Sequence, residues 1–449
     1  MKWHWGPRGG ARLVLRVAAC AAVALTAGCS WFGASEKPPL PGDRVSALQI
    51  SRQLAVDPDL AGTDVILPAP YDNKDWAQSG GNQTHAMYHL KAASGALKQV
   101  WSVDIGAAAD DENRLLAEPV VADGAVFAMD ADSVVSAYSA ADGSQLWRAD
   151  LTPDDEDDNL FGGGIAWAEG KLVVSTPFAK VFALDAKTGE VKWEAPAPAP
   201  MRSAPAVSDG RVFVITIDNQ LVVYALDDGR KLWSNAGVEE AAGLLGGSTP
   251  AVDGNLVIAA YTSGELLAFD VTDGRSLWTD SLAGGARGNA IATLTDIRGR
   301  PVIDREMVIA IGNGGVMAAI DGQRGGRVWD NSLGGTQMPW VAGDFIYVLT
   351  NESEVICLSR QDGRIKWITA LPQFEDEVEK DGRIYWSGPV LVSDRLLVTG
   401  SSGLAVAISP YDGGILGKQE LPDSSHLPPV VADETVYMLS DDARLIALK

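Results

Sequence analysis

Seven tryptophans recur along the chain at Trp101, Trp147, Trp193, Trp233, Trp278, Trp329 and Trp367, spaced by 46, 46, 40, 45, 51 and 38 residues. Each stands four residues after a turn glycine or its positional equivalent, as in Gly143 and Trp147 or Gly189 and Trp193. A further step of 50 residues reaches Gly417, where the glycine partner Gly413 is kept and the tryptophan is not. The chain therefore holds eight copies of one unit. A period of this length with strand-like content predicts an all-β fold, an eight-bladed β-propeller of four-stranded antiparallel blades, because one such unit cannot bury both its faces alone.

Two consecutive copies show the blade's internal plan. Pro205-Ala206-Val207 opens a strand, Asp209-Gly210 turns, Arg211 to Thr216 and Leu221 to Leu226 are two further strands, and Asp228-Gly229 turns into Lys231-Leu232-Trp233. The next copy repeats this with Pro250-Ala251-Val252, Asp253-Gly254, Asp273-Gly274 and Leu277-Trp278. Asp-Gly suits two-residue hairpins because both central positions need positive φ. The strands are apolar almost without alternation, as a sheet covered on both faces requires. Each tryptophan reads as a wedge between blades.

The chain ends supply the ring closure. A strand ending in a triplet centred on a small residue occurs eight times, from Ser136-Ala137-Tyr138 to Ile446-Ala447-Leu448, with Ala at the centre in seven copies and Cys357 in the sixth, and after the eighth the sequence stops at Lys449. The first tryptophan strand, Lys98 to Val103, has no complete blade before it. This N-terminal strand is expected to complete the last blade, so that no edge is left open. One propeller over 71–449 leaves no room for a second globular domain.

The first 70 residues read differently. Lys2, Arg8, Arg12 and Arg16 precede the apolar run Val17 to Leu25, too short for a membrane span and right for a secretory signal over 1–28. The run ends Leu25-Thr26-Ala27-Gly28-Cys29, which resembles a bacterial lipobox and implies lipidation of Cys29; Ser30 after it implies sorting to the outer membrane. Residues 29–70 contain Pro38-Pro39 and Pro41 and no blade pattern, and are read as a tether. Processing removes four basic and no acidic groups, so the mature charge is (36 − 4) − 59 = −27. That argues against nucleic acid or an anionic membrane face as partner.

Catalytic and metal motifs are scarce. The acidic runs Asp154 to Asp158 and Glu375 to Glu377 read as solvated loops; the first has Asn159 and Ile165 where a calcium loop needs Gly and Glu. His85 and His89 have zinc-like spacing but no third ligand, and no metal site is expected. Cys357 reads as a buried apolar residue, with no disulfide available to it. No phosphate loop or nucleophile elbow is present in the sequence.

The repeat Ala183-Leu184-Asp185, Thr188-Gly189-Glu190, Trp193 resembles that of two families: the quinoprotein dehydrogenases and the non-enzymatic BamB lipoproteins of the outer-membrane β-barrel assembly (BAM) machinery. Over its mature length the chain is similar to the second, of alphaproteobacterial type, through Phe161 to Gly164, Asp218 to Leu221, Asp296 to Pro301, Gly335 to Gln337 with Pro339-Trp340, and Trp386 to Pro389. The resemblance implies no enzyme activity and no cofactor, and a propeller anchored to the outer membrane and facing the periplasm. It further implies binding to the POTRA domains of BamA, contact with other BAM subunits, and help to unfolded outer-membrane protein clients. By blade position it carries the partner-binding loops onto Ala242 to Pro250 and Asp296 to Arg298, with Leu244, Leu245, Asp296 and Arg298 as the candidate contacts. Leu245 stands where the enteric form has Arg, and Arg298 where it has Asp, so the ion pairs of that site are in doubt. The glycines at Gly243, Gly246 and Gly247 are expected to let a partner's backbone approach an exposed leucine pair. The alternatives are a quinone-dependent dehydrogenase, against which stand the missing vicinal cysteines and calcium triad, and a propeller binding a small ligand or glycan in its funnel.

Overall fold

A computed structural model describes residues 54–93, 95–110, 113–153, 160–284 and 294–449. The signal segment, Cys29, most of the expected tether and the acidic run Asp154 to Asp158 lie outside these residues. Among the described residues the strands form eight four-stranded antiparallel sheets and one two-stranded hairpin. Each sheet is one blade, in chain order 120–150, 164–196, 206–236, 251–281, 302–331, 340–370, 386–420 and 430–448. The eighth has only three strands of its own; its fourth is Gln99–Asp104, paired antiparallel with Arg444–Leu448.

Within a blade the first three strands are buried and the fourth is largely exposed. In the first blade Val120–Ala122, Ala125–Met129 and Val134–Ser139 are buried almost throughout, whereas Gln145–Asp150 buries only Trp147 fully. This places the three-residue strands at the axis and the tryptophan strands at the rim. Neighbouring blades supply the two apolar covers that the unbroken hydrophobic runs need.

The repeated Gly-x-x-x-Trp is resolved as a contact across the seam between blades. Each indole Nε1–H donates to a main-chain carbonyl of the following blade: Trp101 to Ala140 O at 3.1 Å, Trp147 to Ala186 O at 2.9 Å, Trp193 to Leu226 O at 2.8 Å and Trp278 to Gly322 O at 2.7 Å. The ring itself lies on the next blade's turn glycine. A Cβ on Gly189 would sit 2.6 Å from the Trp147 ring, and one on Gly413 2.7 Å from that of Trp367. Gly189 has φ of 75° and Gly413 of 77°, so the position excludes a side chain on two counts. Gly and Trp of one copy therefore serve different seams. Gly413 is kept because it receives Trp367, while Gly417, in place of the eighth tryptophan, faces the blade completed by Gln99–Asp104, which carries Leu97 at the glycine position.

A segment with no blade pattern fills the axis. Innermost strands leave one edge of N–H and C=O groups unpaired, a large cost if buried. Residues 73–93 bond to that edge in seven of the eight blades, and in the sixth they accept from the Trp340 side chain. Trp76 exchanges two main-chain bonds with Val121, at 2.7 and 2.9 Å, and Ala77 O accepts from Trp167 N at 2.7 Å. The Gln78 side chain mimics a peptide, donating to Val207 O at 2.7 Å and accepting from Val207 N at 2.9 Å. Gln83 O and Thr84 O accept from Val252 N and Ile303 N, and Tyr88 O accepts from Trp340 Nε1 at 2.6 Å. Leu90 bonds to Leu391 and Ser393, and Asn73 to Val431 and Asp433. Trp76 and Trp340 stack, with ring centroids 6.4 Å apart.

From Asp57 the residues read as tether are docked on the sixth blade instead. Asp57 N donates to Ile365 O at 2.8 Å, a single turn of helix spans Pro58–Ala61, and Lys366 Nζ donates to Leu60 O at 2.9 Å. The carbonyls at a helix end attract a cation, which explains a lysine side chain buried at that point. Glu375 to Glu377 belong to a hairpin, Phe374–Asp376 with Asp381–Arg383, in which Asp376 and Glu377 accept from main-chain N–H groups of the hairpin itself.

Trp147→Ala should lower unfolding free energy by about 3–5 kcal/mol, the usual cost of emptying a buried aromatic site. Gly189→Ala should destabilise from the other side of the same contact. In denaturant titrations the double variant should lose less than the sum of the two, since both remove one interaction.

Candidate functional site

The two candidate partner loops meet at one end of the propeller, where the rim-to-axis connections enter the fourth and fifth blades. Asp296 is 2% exposed and its Oδ1 accepts from Leu244 N at 2.7 Å. It is a clamp between the loops, buried where the sequence makes it a candidate partner contact. Burial raises the Asp296 carboxyl above its ordinary range, opposed by the Leu244 N–H bond.

The glycines serve this clamp as well. A Cβ on Gly243 would lie 2.9 Å from Asp296 Oδ1, and one on Gly246, where φ is 91°, would lie 3.0 Å from Arg298 Nε. They admit Asp296 and Arg298 of the same chain, which corrects the expectation that they open space for a partner's backbone. The leucine pair is also divided. Leu245 is 38% exposed, whereas Leu244 is half-buried and lines a cavity of about 200 Å³ with Arg202, Asn219, Thr262 and Arg298. Asn219 fixes the opposite wall, donating to Val238 O at 2.6 Å and Thr262 Oγ1 at 2.9 Å.

Arg298 is partly exposed in the cavity wall, and burial lowers its pKa with no opposing partner. It therefore faces inward from the loop, towards the central funnel. Arg202, Arg298 and Gly246 also line a second, smaller cavity on the axis, floored by Ser79 of the axial segment. In it Arg300 pairs with Glu118, whose Oε2 accepts from Ser79 Oγ at 3.2 Å and Gly80 N at 3.0 Å. Burial brings Arg300 down to about 10. Glu118, Arg202, Arg300 and Ser79 were not singled out from sequence; the one signal was Arg298-Gly299-Arg300, noted only as part of a family motif.

His85 and His89 are brought to separate duties. His85 is buried, held near 3 mainly by desolvation and then by the Arg300 charge, and its Nδ1–H donates to Pro301 O at 2.7 Å. His89 Nδ1–H donates to Pro68 O at 2.7 Å, and its Nε2 accepts from Asp394 N at 3.0 Å. Among the described residues no three His, Cys, Asp or Glu side chains converge as metal ligands. Cys357 is free and buried, and burial pushes its thiol pKa up.

Comparison with known proteins places this arrangement. The family model described as "Outer membrane protein assembly factor BamB" matches residues 49–160, 131–369 and 376–449. The chain belongs to the BamB family. It is 27% identical to the BamB of Salmonella typhimurium over 354 residues, covering 78% of this chain and 88% of that protein. With the BamB of Escherichia coli K12 it shares 26% over 353 residues, or 78% of this chain and 88% of the relative. Among solved structures, BamB from Moraxella catarrhalis aligns with a TM-score of 0.65 at 20% identity, covering 79% of this chain and 100% of that one. A europium-containing methanol dehydrogenase aligns with the same TM-score of 0.65 at 14% identity, covering 83% and 89%. Likeness at these identities speaks for the fold alone, and the propeller is common to both structures. It is the family model that separates BamB from the dehydrogenases.

The clamp has a testable signature. Asp296→Asn keeps the acceptor for Leu244 N and removes a desolvated charge, so its Tm should equal or exceed that of the parent. Asp296→Ala loses the bond, with a cost of about 1–3 kcal/mol, and should speed amide exchange at Leu244.

Proposed function

We propose that this BamB-family protein is a non-enzymatic subunit of the BAM machinery, lipidated at Cys29 after removal of 1–28 and held at the outer membrane with its propeller in the periplasm. The observation that carries this reading is the family match, which runs through all eight blades. Its role is then mechanical: a rigid ring presents loops to the POTRA domains of BamA, beside the other subunits, while unfolded outer-membrane proteins are delivered.

Docking uses the loop 242–250. Leu245 is the outward anchor, Leu244 lies at the cavity mouth, Arg298 stands behind it, and Asp296 positions the loop without touching the partner. Magnitudes constrain this model. Full burial of a leucine contributes about 1.5–3 kcal/mol. Leu245 has only 38% of its surface left to bury, so its share is about 1 kcal/mol. One side chain of that size cannot hold a partner; the remainder must come from main-chain pairing between the loop and an edge strand of a POTRA domain.

Leu244→Asp with Leu245→Asp should abolish co-purification of BamA from detergent extracts, while Leu245→Asp alone, at an exposed position, should weaken it without changing Tm. If the folded double variant still retains BamA, the interface lies elsewhere on the ring. Cys29→Ser should release the protein from the outer-membrane fraction as soluble protein or uncleaved precursor. Adding pyrroloquinoline quinone with calcium should give no dye-linked alcohol oxidation; turnover would return the chain to the dehydrogenases.

A further inference from the structure

The funnel on the propeller axis holds more positive than negative charge, in a chain whose net charge is −23. Arg202, Arg298 and Arg300 line it against one carboxylate, Glu118. That carboxylate is already engaged by Arg300, Ser79 Oγ and Gly80 N. Arg202 and Arg298 have no carboxylate within ion-pair distance among the described residues. In the adjoining cavity, which both arginines also line, Asp296 gives Oδ1 to the Leu244 N–H and keeps Oδ2 buried without a hydrogen-bond partner, forming no ion pair with either arginine, and Glu240 lies on the exposed rim. Two guanidinium groups therefore share one concave site without a counter-ion. Desolvation that lowers the pKa of Arg298 is the physical mark of such a charge.

The walls favour a small ligand. Gly246 passes against Arg298, where a Cβ would come within 3.0 Å of Nε, so bulk is kept off the guanidinium. The remaining polar lining is Ser203, Thr249, Thr336, Gln337 and His426, whose Nδ1 is 2.7 Å from Asp441 Oδ2. The space is about 50 Å³. At ~10–15 Å³ for each water it holds about four, which is the size of one oxyanion head.

We propose that the funnel binds a compact oxyanion, a carboxylate or phosphate group, between the guanidinium groups of Arg202 and Arg298. Planar forks with several N–H donors match such oxygens in pairs, and a partly desolvated site strengthens the contact. The group is either a free ion or the terminal carboxylate of a peptide reaching in from the loop end of the ring. The inference shares Arg298 with the docking model, in which that side chain stands behind the loop, but it is read by anion binding, whereas docking is read by BamA retention in the Leu244 and Leu245 variants, so the two fail separately.

Calorimetric titration of the full-length protein in detergent would test it, using inorganic phosphate, acetate, and a short peptide with neutral side chains as free acid and as C-terminal amide. At least one of the oxyanions should bind. Preference for phosphate identifies a free ion; preference for the peptide acid over its amide identifies a chain terminus. Arg202→Gln and Arg298→Gln should each weaken binding about tenfold, a loss of about 1.4 kcal/mol, and together abolish it. Stability supplies an independent sign. In anion-free buffer the double variant should have a higher Tm than the parent, because two uncompensated charges leave a partly desolvated site, and phosphate or peptide should raise the Tm of the parent alone. Absence of binding by the parent, equal binding by the double variant, or a fall in its Tm in anion-free buffer would each overturn the proposal, the last by showing that the arginines are structural.

Discussion

The contact between an indole ring and a glycine of the next blade organises this molecule. The ring needs a flat, unsubstituted patch of main chain, and a turn glycine with φ near 75° provides one. The indole N–H then finds a carbonyl in the same turn region, as Trp147 does at Ala186 O, so the wedge brings its own polar group to satisfaction. Because the pair spans two copies, each blade is fixed by what its neighbours carry. The failure of the pattern is equally ordered: Gly417 and Leu97 hold the Trp and Gly positions of one seam, and a Cβ on Gly417 would find nothing within 4 Å.

A ring of separate blades leaves an outer strand edge open to solvent at the rim and turns an inner edge towards the axis. Eight short axial strands each present main-chain groups to the channel, and a water-filled channel or a polypeptide can satisfy them. Here residues 73–93 do so, with Gln78 acting as a side-chain peptide and Asn73 bridging to the eighth blade. This segment also makes the funnel floor through Ser79 and Gly80, which hold Glu118 and through it Arg300. The structural plug and the electrostatics of the funnel are thus one construction. An ion pair with additional donors can be tolerated in such a site, whereas the neighbouring arginines remain uncompensated.

The loops proposed for docking depend on the same logic. Their glycines and Asp296 are used within the chain, so what reaches solvent is a small apolar surface on a well-fixed loop. Rigid presentation lowers the ordering cost of association, which suits a subunit whose contribution is geometry more than buried area.

Sequence periodicity alone determined the number of blades, their strand order, the turn positions and the wedge role of the tryptophans, because these follow from local patterns repeated at near-constant spacing. Burial of Cys357 was legible for the same reason, in an unbroken apolar strand. Tertiary structure decided what the non-repeating residues do. Nothing in the composition of residues 57–93 distinguishes a tether from a docked segment and an axial plug, since its bonds are made by main-chain groups with partners more than 300 residues away, such as Ile365 and Asp433. The placement of Asp296 was likewise invisible: the letter Asp in a loop reads as a solvated charge, and only the approach of a second loop's N–H turns it inward. Local pattern encodes elements; long-range main-chain satisfaction, which carries no sequence signature, encodes the plug, the clamp and the charged funnel.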